Sequence, residues 1–481
     1  MLIQPVSVRI ALLACCAMTV SACGSGISAP SADKSQTAAG KAASVTTYGI
    51  PQSKERFEIQ TRLIADKLDR ALLPAMRNQK IDMWIVLDRE YNPDPVHVEL
   101  GGRGTGVRAA YIFYDNGSDK PEKIYFGSHE QPANSVIARV YDVKGYYGYS
   151  KEGLTPHLRK AVFDRAPKRI GINMSPTLPS ADGITATLRD YLAQTIGPEF
   201  AKRLVSAELV IRDFRLSRTA LETELYTDLV RWSAMWMEEA LSTQNVTTGK
   251  TTAADIAWWL KDRALELGLT GGGTVRVVRS GELLPVHDPD IAMEPGDIIG
   301  IDGGLEYNGY KVDIKRTAYI LRSGENAMPA GLQAAWKATH DMADRYVENM
   351  QIGKVGHEIW AAVNAQAESL GYHAVGPDAG GDAVTGNRPE VGIYGHSVGT
   401  VAHDIGARIA ANIPFAYGDR VRYPLVEGEW VSIEFHVSTP VEEWDGKTWY
   451  ARFEETGQLT RDGIKWLVPI QKDLFLIQPA G

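Results

Sequence analysis

The sequence predicts an α+β protein, because strand-like and helical segments are mixed along a chain long enough for two cores. The chain has 481 residues, of which 44% are hydrophobic and 23% charged, a composition typical of globular proteins. A buried-strand run at 81–88 (IDMWIVLD) stands beside amphipathic helices, and Asn308-Gly309 marks a β-hairpin. The net charge of -8 and the lack of Lys/Arg runs argue against a nucleic-acid partner or a polybasic membrane patch.

The first 23 residues resemble an export signal that ends in a bacterial lipobox. Arg9 precedes an apolar stretch of 11 residues, IALLACCAMTV, which is too short to span a bilayer. The segment ends in VSAC, so Cys23 is the predicted lipidation site, with an ordinary cleavable signal as the alternative. Cys15 and Cys16 would leave with the signal, so the mature chain would form no internal disulfide.

An exported lipoprotein facing the periplasm is therefore expected, with membrane contact only through the N-terminal lipid. Gly24 follows the cysteine, and by resemblance to bacterial lipoproteins it favours the outer membrane over the inner membrane.

Composition and periodicity divide the rest of the chain into three parts. Residues 24–50 are rich in Ser, Ala, Gly and Thr, as in a flexible tether. Residues 51–212 alternate strand and helix patterns and predict a mixed α/β N-terminal domain. A second block, predicted over 213–475, starts with the capping-box pair Thr219 and Glu222, which satisfies the free amides of a helix start.

Two aspartates beside the predicted hairpin turn are the first candidate metal ligands. A two-residue turn at Asn308-Gly309 places Asp302 opposite Lys315. It also places Gly304 opposite Asp313, so the two aspartates lie diagonally on one face. Diagonal neighbours are about 7 to 8 Å apart, close enough to converge on an ion, and Gly304 is expected to leave room for it. The alternative is a pair of exposed aspartates on a surface hairpin.

Three further segments supply acidic and imidazole groups. Glu434 alternates with apolar residues in GEWVSIEFHV, and Glu454 does so in WYARFEETGQLT, as on strands with one polar face. A glutamate that faces the core is costly unless it is paired or binds a metal. His396 and His403 lie in a segment punctuated by glycines. Four carboxylates and one imidazole suit Mn²⁺, Fe²⁺, Co²⁺ or Zn²⁺ and exceed what one zinc ion requires, which predicts two divalent ions.

Five predicted ligands follow one another in an order that resembles the methionine aminopeptidase, aminopeptidase P and prolidase family, metallopeptidase family M24. They are Asp302, Asp313, His396, Glu434 and Glu454. The resemblance implies that Asp302 binds one ion and that His396 and Glu434 bind the other. Asp313 and Glu454 would bridge the two ions. Mn²⁺ is the favoured metal, with Zn²⁺, Co²⁺ and Fe²⁺ as alternatives.

The resemblance covers the predicted catalytic domain, 213–475, and implies the pita-bread fold there. The preceding segment, 53–212, looks like the creatinase-type N-terminal domain of the Xaa-Pro members of the family. Relatives of this kind are often dimers, so a homodimer is expected.

The implied activity is hydrolysis of short peptides at Xaa-Pro bonds, by an aminopeptidase or a dipeptidase. Glu434 would accept a proton from a water activated between the two ions. His287 and His403 match the family histidines that stabilise developing charge and assist departure of the amine. Arg452 resembles an arginine that orients the ligands from behind them, and an ordinary surface arginine is the alternative.

Three positions depart from the family pattern or remain open. Gly392 stands where the Xaa-Pro members usually have a histidine, so proline specificity is in doubt. Lys315 replaces the usual Thr or Ser and is expected to face Asp302, as an ion pair that tunes metal affinity. His436 shares a face with Glu434 and either approaches the metals or packs nearby.

Two other functions are compatible with such a chain. One is a metal-free amidinohydrolase like creatinase, and the presence of all five ligands argues against it. The other is a catalytically silent protein of the cell envelope that binds peptides, and the presence of His287 and His403 argues against that function.

Overall fold

The computed structural model describes residues 48–285, 290–375, 388–409 and 418–479. The predicted signal segment with Cys23 and most of the predicted tether lie outside these ranges. His287, one of the predicted catalytic residues, also lies outside them. From residue 49 onward the described chain forms one compact unit.

The α-helices in the described ranges confirm the helical segments expected from periodicity. In chain order they are α1 (Ser53–Lys67), α2 (Leu73–Asn78), α3 (Val136–Val140), α4 (Thr155–Arg165), α5 (Ala186–Ala201), α6 (Glu208–Leu216), α7 (Ala220–Ala240), α8 (Ala253–Glu266), α9 (Ala330–Asn349) and α10 (Gly356–Ser369). Within the described ranges, none of the helices has the length and apolar character needed to cross a bilayer.

The strands form three sheets. In chain order the strands are β1 (Met83–Arg89), β2 (Arg108–Tyr114), β3 (Glu122–Gly127), β4 (Val143–Tyr146), β5 (Ile170–Ile172), β6 (Leu204–Ser206), β7 (Thr270–Arg279), β8 (Glu282–Leu283), β9 (Ile298–Tyr307), β10 (Tyr310–Lys311), β11 (Ile314–Ile320), β12 (His373–Ala374), β13 (Glu390–Ile393), β14 (His396–Ser397), β15 (Trp430–Pro440), β16 (Thr448–Thr460), β17 (Gly463–Trp466) and β18 (Phe475–Ile477).

The first sheet has the order β4-β3-β2-β1-β5-β6 and is covered by helices on both faces. In β1, Trp84 and Val86 join the cluster that contains residues of α1, α2 and α6. The alternate residues Ile85 and Leu87 join the cluster of α4 and α5. This double burial explains the continuous apolar run of β1, because a strand covered on both faces has no solvent-facing side.

The other two sheets meet along β11 and β16. One has the order β18-β11-β9-β7-β8, with β10 paired to β9. The other has the order β12-β13-β15-β16-β17, with β14 paired to β15. Helices α7 and α8 pack on the first of these sheets and α9 packs on the second. The junction between the two sheets is therefore flanked by helices.

The hairpin and the helix start expected from the sequence are both confirmed. Asn308 and Gly309 have φ angles of 50° and 85°, as a two-residue turn with two left-handed positions requires. Lys315 pairs with Asp302 in the ladder between β9 and β11. At the start of α7, Thr219 and Glu222 form the reciprocal hydrogen bonds of a capping box.

The strands fall into an N-terminal and a C-terminal group, as expected from the sequence. All strands of the first sheet precede residue 207, and all strands of the other two sheets follow residue 269. The predicted boundary at 212/213 falls inside α6. The domain limits of 51–212 and 213–475 therefore stay predictions.

Candidate metal centre

The junction of the two C-terminal sheets brings together all five ligands predicted from the sequence. Three sets of side chains have ligand atoms within 4.8 Å of one another. The sets are Asp302 with Asp313 and Glu454, His396 with Glu434 and Glu454, and Asp313 with His396 and His403. The aspartates at the predicted hairpin therefore converge with the glutamates instead of lying on an exposed surface.

The two glutamates face the junction because β15 and β16 alternate polar and apolar residues. Glu434 lies directly opposite Glu454 in this antiparallel ladder. One residue further, Phe435 lies opposite Phe453, and these rings belong to the hydrophobic cluster under α9. Since neighbouring side chains of a strand point to opposite faces, burial of the two phenylalanines directs both glutamates towards β11.

His396 is fully buried on β14, and its ring orientation favours a cation beside it. Its Nδ1 lies 3.0 Å from the Ser397 carbonyl oxygen, which can only accept, so Nδ1 carries the proton in the neutral ring. The lone pair of Nε2 then faces oxygens of Glu454 at 3.4 Å, Glu434 at 3.7 Å and Asp313 at 4.0 Å. A lone pair that faces carboxylate oxygens is unfavourable unless a proton or a metal ion lies between them.

Lys315 supplies one cation to this cluster from the chain itself. Its Nζ lies 2.8 Å from Glu434 Oε1, 2.5 Å from Glu454 Oε2 and 3.2 Å from Asp302 Oδ2. The predicted ion pair with Asp302 is thus confirmed, and two further partners accompany it. Burial alone would lower the pKa of Lys315, but the carboxylates, Glu434 and Glu454 first, raise it well above its ordinary value. The ammonium is therefore charged at neutral pH.

The carboxylates remain in excess even with this lysine present. Burial raises the pKa of Asp313 well above its ordinary value, and the neighbouring Glu454 and Asp302 raise it further. Burial also raises the pKa of Glu434, with Glu454 adding to the effect against Lys315. For Glu454, burial acts in the same direction, but Lys315 and His396 outweigh it and lower the pKa. The cluster is thus suited to bind further positive charge.

The donor set around His396 fits a divalent ion. His396 Nε2 lies within 4.0 Å of one carboxylate oxygen each from Asp313, Glu434 and Glu454, and such mixed N/O donors suit Mn²⁺, Fe²⁺, Co²⁺ and Zn²⁺. The Asp302 side fits less well, because the oxygens of Asp302 and Glu454 that face this side also contact Lys315.

His403 lies at the open side of the cluster. Its side chain is 51% exposed, and its Nε2 is 3.9 Å from Asp313 Oδ2. The ring stands nearly perpendicular to that of His396, with 4.5 Å between centroids. Desolvation, followed by His396 and Arg408, lowers the pKa of His403. The imidazole is therefore neutral at neutral pH and can donate a hydrogen bond to a group that approaches from solvent.

The next residue, Asp404, fixes the loop that carries His403. Its fully buried carboxylate contacts Arg215 at 3.4 Å and Arg218 at 3.2 Å. It also accepts hydrogen bonds from the amides of Thr400 at 2.9 Å and Ile405 at 2.8 Å. The position of His403 therefore depends on two arginines, one near the end of α6 and one just before α7.

The role expected for Gly304, to leave room for an ion, was wrong. A Cβ at this position would lie 2.4 Å from the Val312 carbonyl oxygen. The glycine is thus required by the close approach of the two hairpin backbones, and the space beside it is filled by Val312, not left for an ion.

His436 packs beside the cluster without joining the described ligand sets. Its Nε2 lies 4.0 Å from Glu434 Oε1. Its ring contacts Tyr394 and Tyr450, with centroids 4.9 and 5.0 Å away. Tyr394 also explains Gly392, because a Cβ there would lie 2.5 Å from the tyrosine hydroxyl oxygen. Of the two roles left open for His436, the geometry favours packing.

Arg452 lies opposite His436 in the ladder of β15 and β16. Desolvation raises the pKa of Asp302, while Lys315 and, more weakly, Arg452 oppose that rise. Arg452 therefore acts on the ligand cluster through its charge, and its predicted role of orienting the ligands stays a prediction.

One supporting residue was missed in the sequence. Ser432 Oγ donates a hydrogen bond of 2.6 Å to Glu454 Oε1. Ser432 shares the polar face of β15 with Glu434, so strand alternation was the available signal. Nothing in that alternation specified which residue of β16 the hydroxyl would contact.

Comparison with known proteins places this arrangement in a family. Residues 225–461 match the sequence model of metallopeptidase family M24. No curated protein sequence shows a significant match to the chain.

Solved structures show the same fold at low sequence identity. An X-Pro aminopeptidase from Thermotoga maritima is 18% identical, with a TM-score of 0.60 over 84% of this chain and 100% of that one. A Xaa-Pro dipeptidase from Bacillus anthracis is 17% identical, with a TM-score of 0.56 over 87% of this chain and 100% of that one. A prolidase from Pyrococcus furiosus is 18% identical, with a TM-score of 0.53 over 83% of this chain and 100% of that one.

These likenesses confirm the predicted fold class, an α+β pita-bread domain preceded by a smaller mixed α/β domain. The family match covers the hairpin, the histidine segment and both glutamate strands that form the cluster. Through residues 225–461 the chain therefore belongs to metallopeptidase family M24, which confirms the prediction of a peptidase at the level of the family.

Proposed function

We propose that this protein hydrolyses short peptides in a reaction that depends on a divalent metal ion. The observation that carries the proposal is the buried Nε2 of His396, which faces carboxylate oxygens of Glu454, Glu434 and Asp313 at 3.4 to 4.0 Å. These four groups would hold the ion. Once bound, a divalent ion at this position supplies Lewis acidity, which polarises a carbonyl group and makes a water molecule more acidic.

The side chains of the cluster support the remaining steps of hydrolysis. Glu434 is a buried carboxylate beside the proposed ion, with a raised pKa, and is placed to accept the proton of the attacking water. His403 is neutral and half exposed on the solvent side. Its imidazole would donate a hydrogen bond to the oxygen on which negative charge develops.

Cleavage at Xaa-Pro bonds is the proposed specificity. Solved structures with this fold include an X-Pro aminopeptidase and a Xaa-Pro dipeptidase, and this likeness supports the substrate class. Tyr394 occupies the space beside Gly392, so an aromatic side chain lies at the position where the Xaa-Pro members usually have a histidine. Aminopeptidase and dipeptidase activities are both compatible with this arrangement.

The experiment measures metal content and peptide cleavage on the same preparations. The parent protein, stripped with a chelator and reloaded with Mn²⁺, Zn²⁺, Co²⁺ or Fe²⁺, is assayed on Xaa-Pro dipeptides and tripeptides and on matched peptides without proline. Asp313→Ala is expected to lose both metal and turnover. His403→Ala is expected to retain metal and lose about 10²- to 10⁴-fold in turnover. His373→Ala, an exposed histidine on β12, serves as the control and should match the parent.

Three outcomes separate a metallopeptidase from the two alternative functions. Metal-dependent cleavage supports the proposal, and preference for proline supports the narrower specificity. Turnover that persists in the metal-free protein would reject metal dependence and favour a metal-free hydrolase, the class to which the creatinase-like alternative belongs. A folded, metal-loaded parent that cleaves none of the peptides would reject the proposal in favour of a binding protein.

We also propose that the protein is exported, that Cys23 carries a lipid, that the protein lies at the outer membrane, that it forms a homodimer, and that its metal is Mn²⁺. The number of ions, predicted from the sequence as two, depends on the position of Lys315 within the cluster.

A further inference from the structure

We propose that the Lys315 ammonium replaces one of the two cations expected in this site, so that the protein binds a single divalent ion, at His396. This inference rests on the proposed metal-dependent function and makes it more specific. It assigns Lys315 a place inside the site, in contact with the ligands, instead of a role as a peripheral ion pair.

The first argument is the division of oxygens within each glutamate. Glu434 directs Oε1 to Lys315 at 2.8 Å and Oε2 to His396 at 3.7 Å. Glu454 directs Oε2 to Lys315 at 2.5 Å and Oε1 to His396 at 3.4 Å. Each carboxylate thus bridges two positions, as expected for carboxylates that join two cations. One of these positions is filled by the lysine nitrogen.

The second argument is space. A divalent ion bound by the oxygens that now contact Lys315 would lie about 2.0 to 2.6 Å from them. Those oxygens already surround Nζ at 2.5 to 3.2 Å, so the ion and the ammonium would claim the same volume. The side chain is 5% exposed and extends from β11. Moving its charge elsewhere in the interior would leave it without these partners, which is strongly unfavourable.

The third argument is charge. Four carboxylates, those of Asp302, Asp313, Glu434 and Glu454, share one lysine among the ligand sets. With all four carboxylates ionised, three negative charges remain, so the lysine does not make a metal ion unnecessary. One divalent ion beside His396 reduces this excess, and its donor atoms are the ones that Lys315 leaves available.

The test is the stoichiometry of metal binding. Purified parent protein is stripped of metal, titrated with Mn²⁺ by calorimetry, and its bound metal is measured after dialysis by elemental analysis. The parent is expected to bind one ion per chain. Lys315→Thr removes the ammonium while placing a β-branched residue in the strand, and it is expected to bind a second ion. Lys311→Thr, which removes an exposed lysine of the same hairpin, should bind one ion as the parent does.

A spectroscopic measurement on the parent keeps the inference testable even if Lys315→Thr fails to fold. A single Mn²⁺ ion gives the resolved hyperfine spectrum of a magnetically isolated ion, whereas two neighbouring ions couple and broaden it. Two ions per chain in the parent, or a coupled spectrum, would overturn the inference while leaving metal-dependent cleavage intact. A parent that binds no metal and cleaves no peptide would defeat the proposed function itself, and this inference with it.

Discussion

Asp404 allows a quantitative test of how the loop at the candidate site is held. Its carboxylate is fully buried and faces Arg215 at 3.4 Å and Arg218 at 3.2 Å. The arginines lower the pKa of Asp404 against the opposing effect of burial. The charge of this carboxylate is therefore an integral part of the buried network, and Asp404→Asn removes that charge with little change in volume.

The cost of this substitution follows from the partners that would remain. Arg215 keeps its hydrogen bonds to Glu99. Arg218 would lose its nearest carboxylate and would keep a hydrogen bond to the Val398 carbonyl oxygen at 3.1 Å, the distant carboxylate of Glu222 at 3.9 Å and the face of Trp430 at 4.1 Å. Removing one partner of a buried pair costs about 3 to 5 kcal/mol. Because one arginine stays paired, we expect the lower end, about 3 kcal/mol of the free energy of unfolding.

The assay is urea unfolding followed by tryptophan fluorescence and circular dichroism, with peptide turnover measured in parallel. The control is Asp341→Asn, which removes an exposed ion pair with Lys337 one helical turn away and should cost about 0.5 kcal/mol or less. A loss of under about 1 kcal/mol for Asp404→Asn would show that the buried arginines do not depend on this carboxylate. The loop that carries His403 would then have to be held by other contacts.

Three further predictions concern the hydrogen bonds, the hairpin and a buried lysine. Ser432→Ala removes a hydrogen bond to a glutamate of the cluster and should weaken metal binding, measured by calorimetry, about 10- to 100-fold. The control is Ser438→Ala, which should leave metal binding unchanged, because the Ser438 hydroxyl has no hydrogen-bond partner in the described part of the chain. Gly304→Ala would place a Cβ 2.4 Å from a backbone oxygen and should lower the free energy of unfolding, measured in urea, by about 1 to 3 kcal/mol. Gly300→Ala should lower it less, because a Cβ at position 300 meets no atom within 4 Å. Burial lowers the pKa of Lys67 from 10.5 to about 8, so between these pH values folding releases the proton of this lysine. The stability of the parent relative to Lys67→Met should therefore rise with pH across that window, by at most about 3 kcal/mol. A stability difference that stays constant with pH would contradict the assigned pKa.

Local sequence rules were sufficient to predict the backbone structure of the site. Asn308-Gly309 determined the hairpin turn, and the turn determined the register that pairs Asp302 with Lys315. Strand alternation indicated that Glu434 and Glu454 face the interior, and burial of their apolar neighbours confirms it. These predictions succeeded because turn geometry and the two-residue period of a strand depend on neighbours in the sequence.

Contacts between separate sheets could not be predicted from such local rules. Lys315 was expected to meet Asp302 across its own hairpin, but its contacts with Glu434 and Glu454 depend on how β11 packs against β16. The error at Gly304 had a different cause, because its neighbour Val312 belongs to the same hairpin and the close approach of the two backbones fills the space expected for an ion. No local periodicity encodes the distance between two sheets, so the lysine inside the ligand cluster was visible only in the folded structure.

The arginine at position 215 has a consequence for how the protein can be divided. It contacts Glu99, which follows β1 in the N-terminal part of the chain, and Asp404, beside the histidine at the site. A fragment cut at residue 213 would keep the arginine and Asp404 but lose Glu99, and it would expose the side chain of Phe214, which packs against the first sheet. The part of the chain before the family match is thus a structural requirement of the catalytic part, and recombinant fragments that begin with the peptidase region should aggregate or misfold.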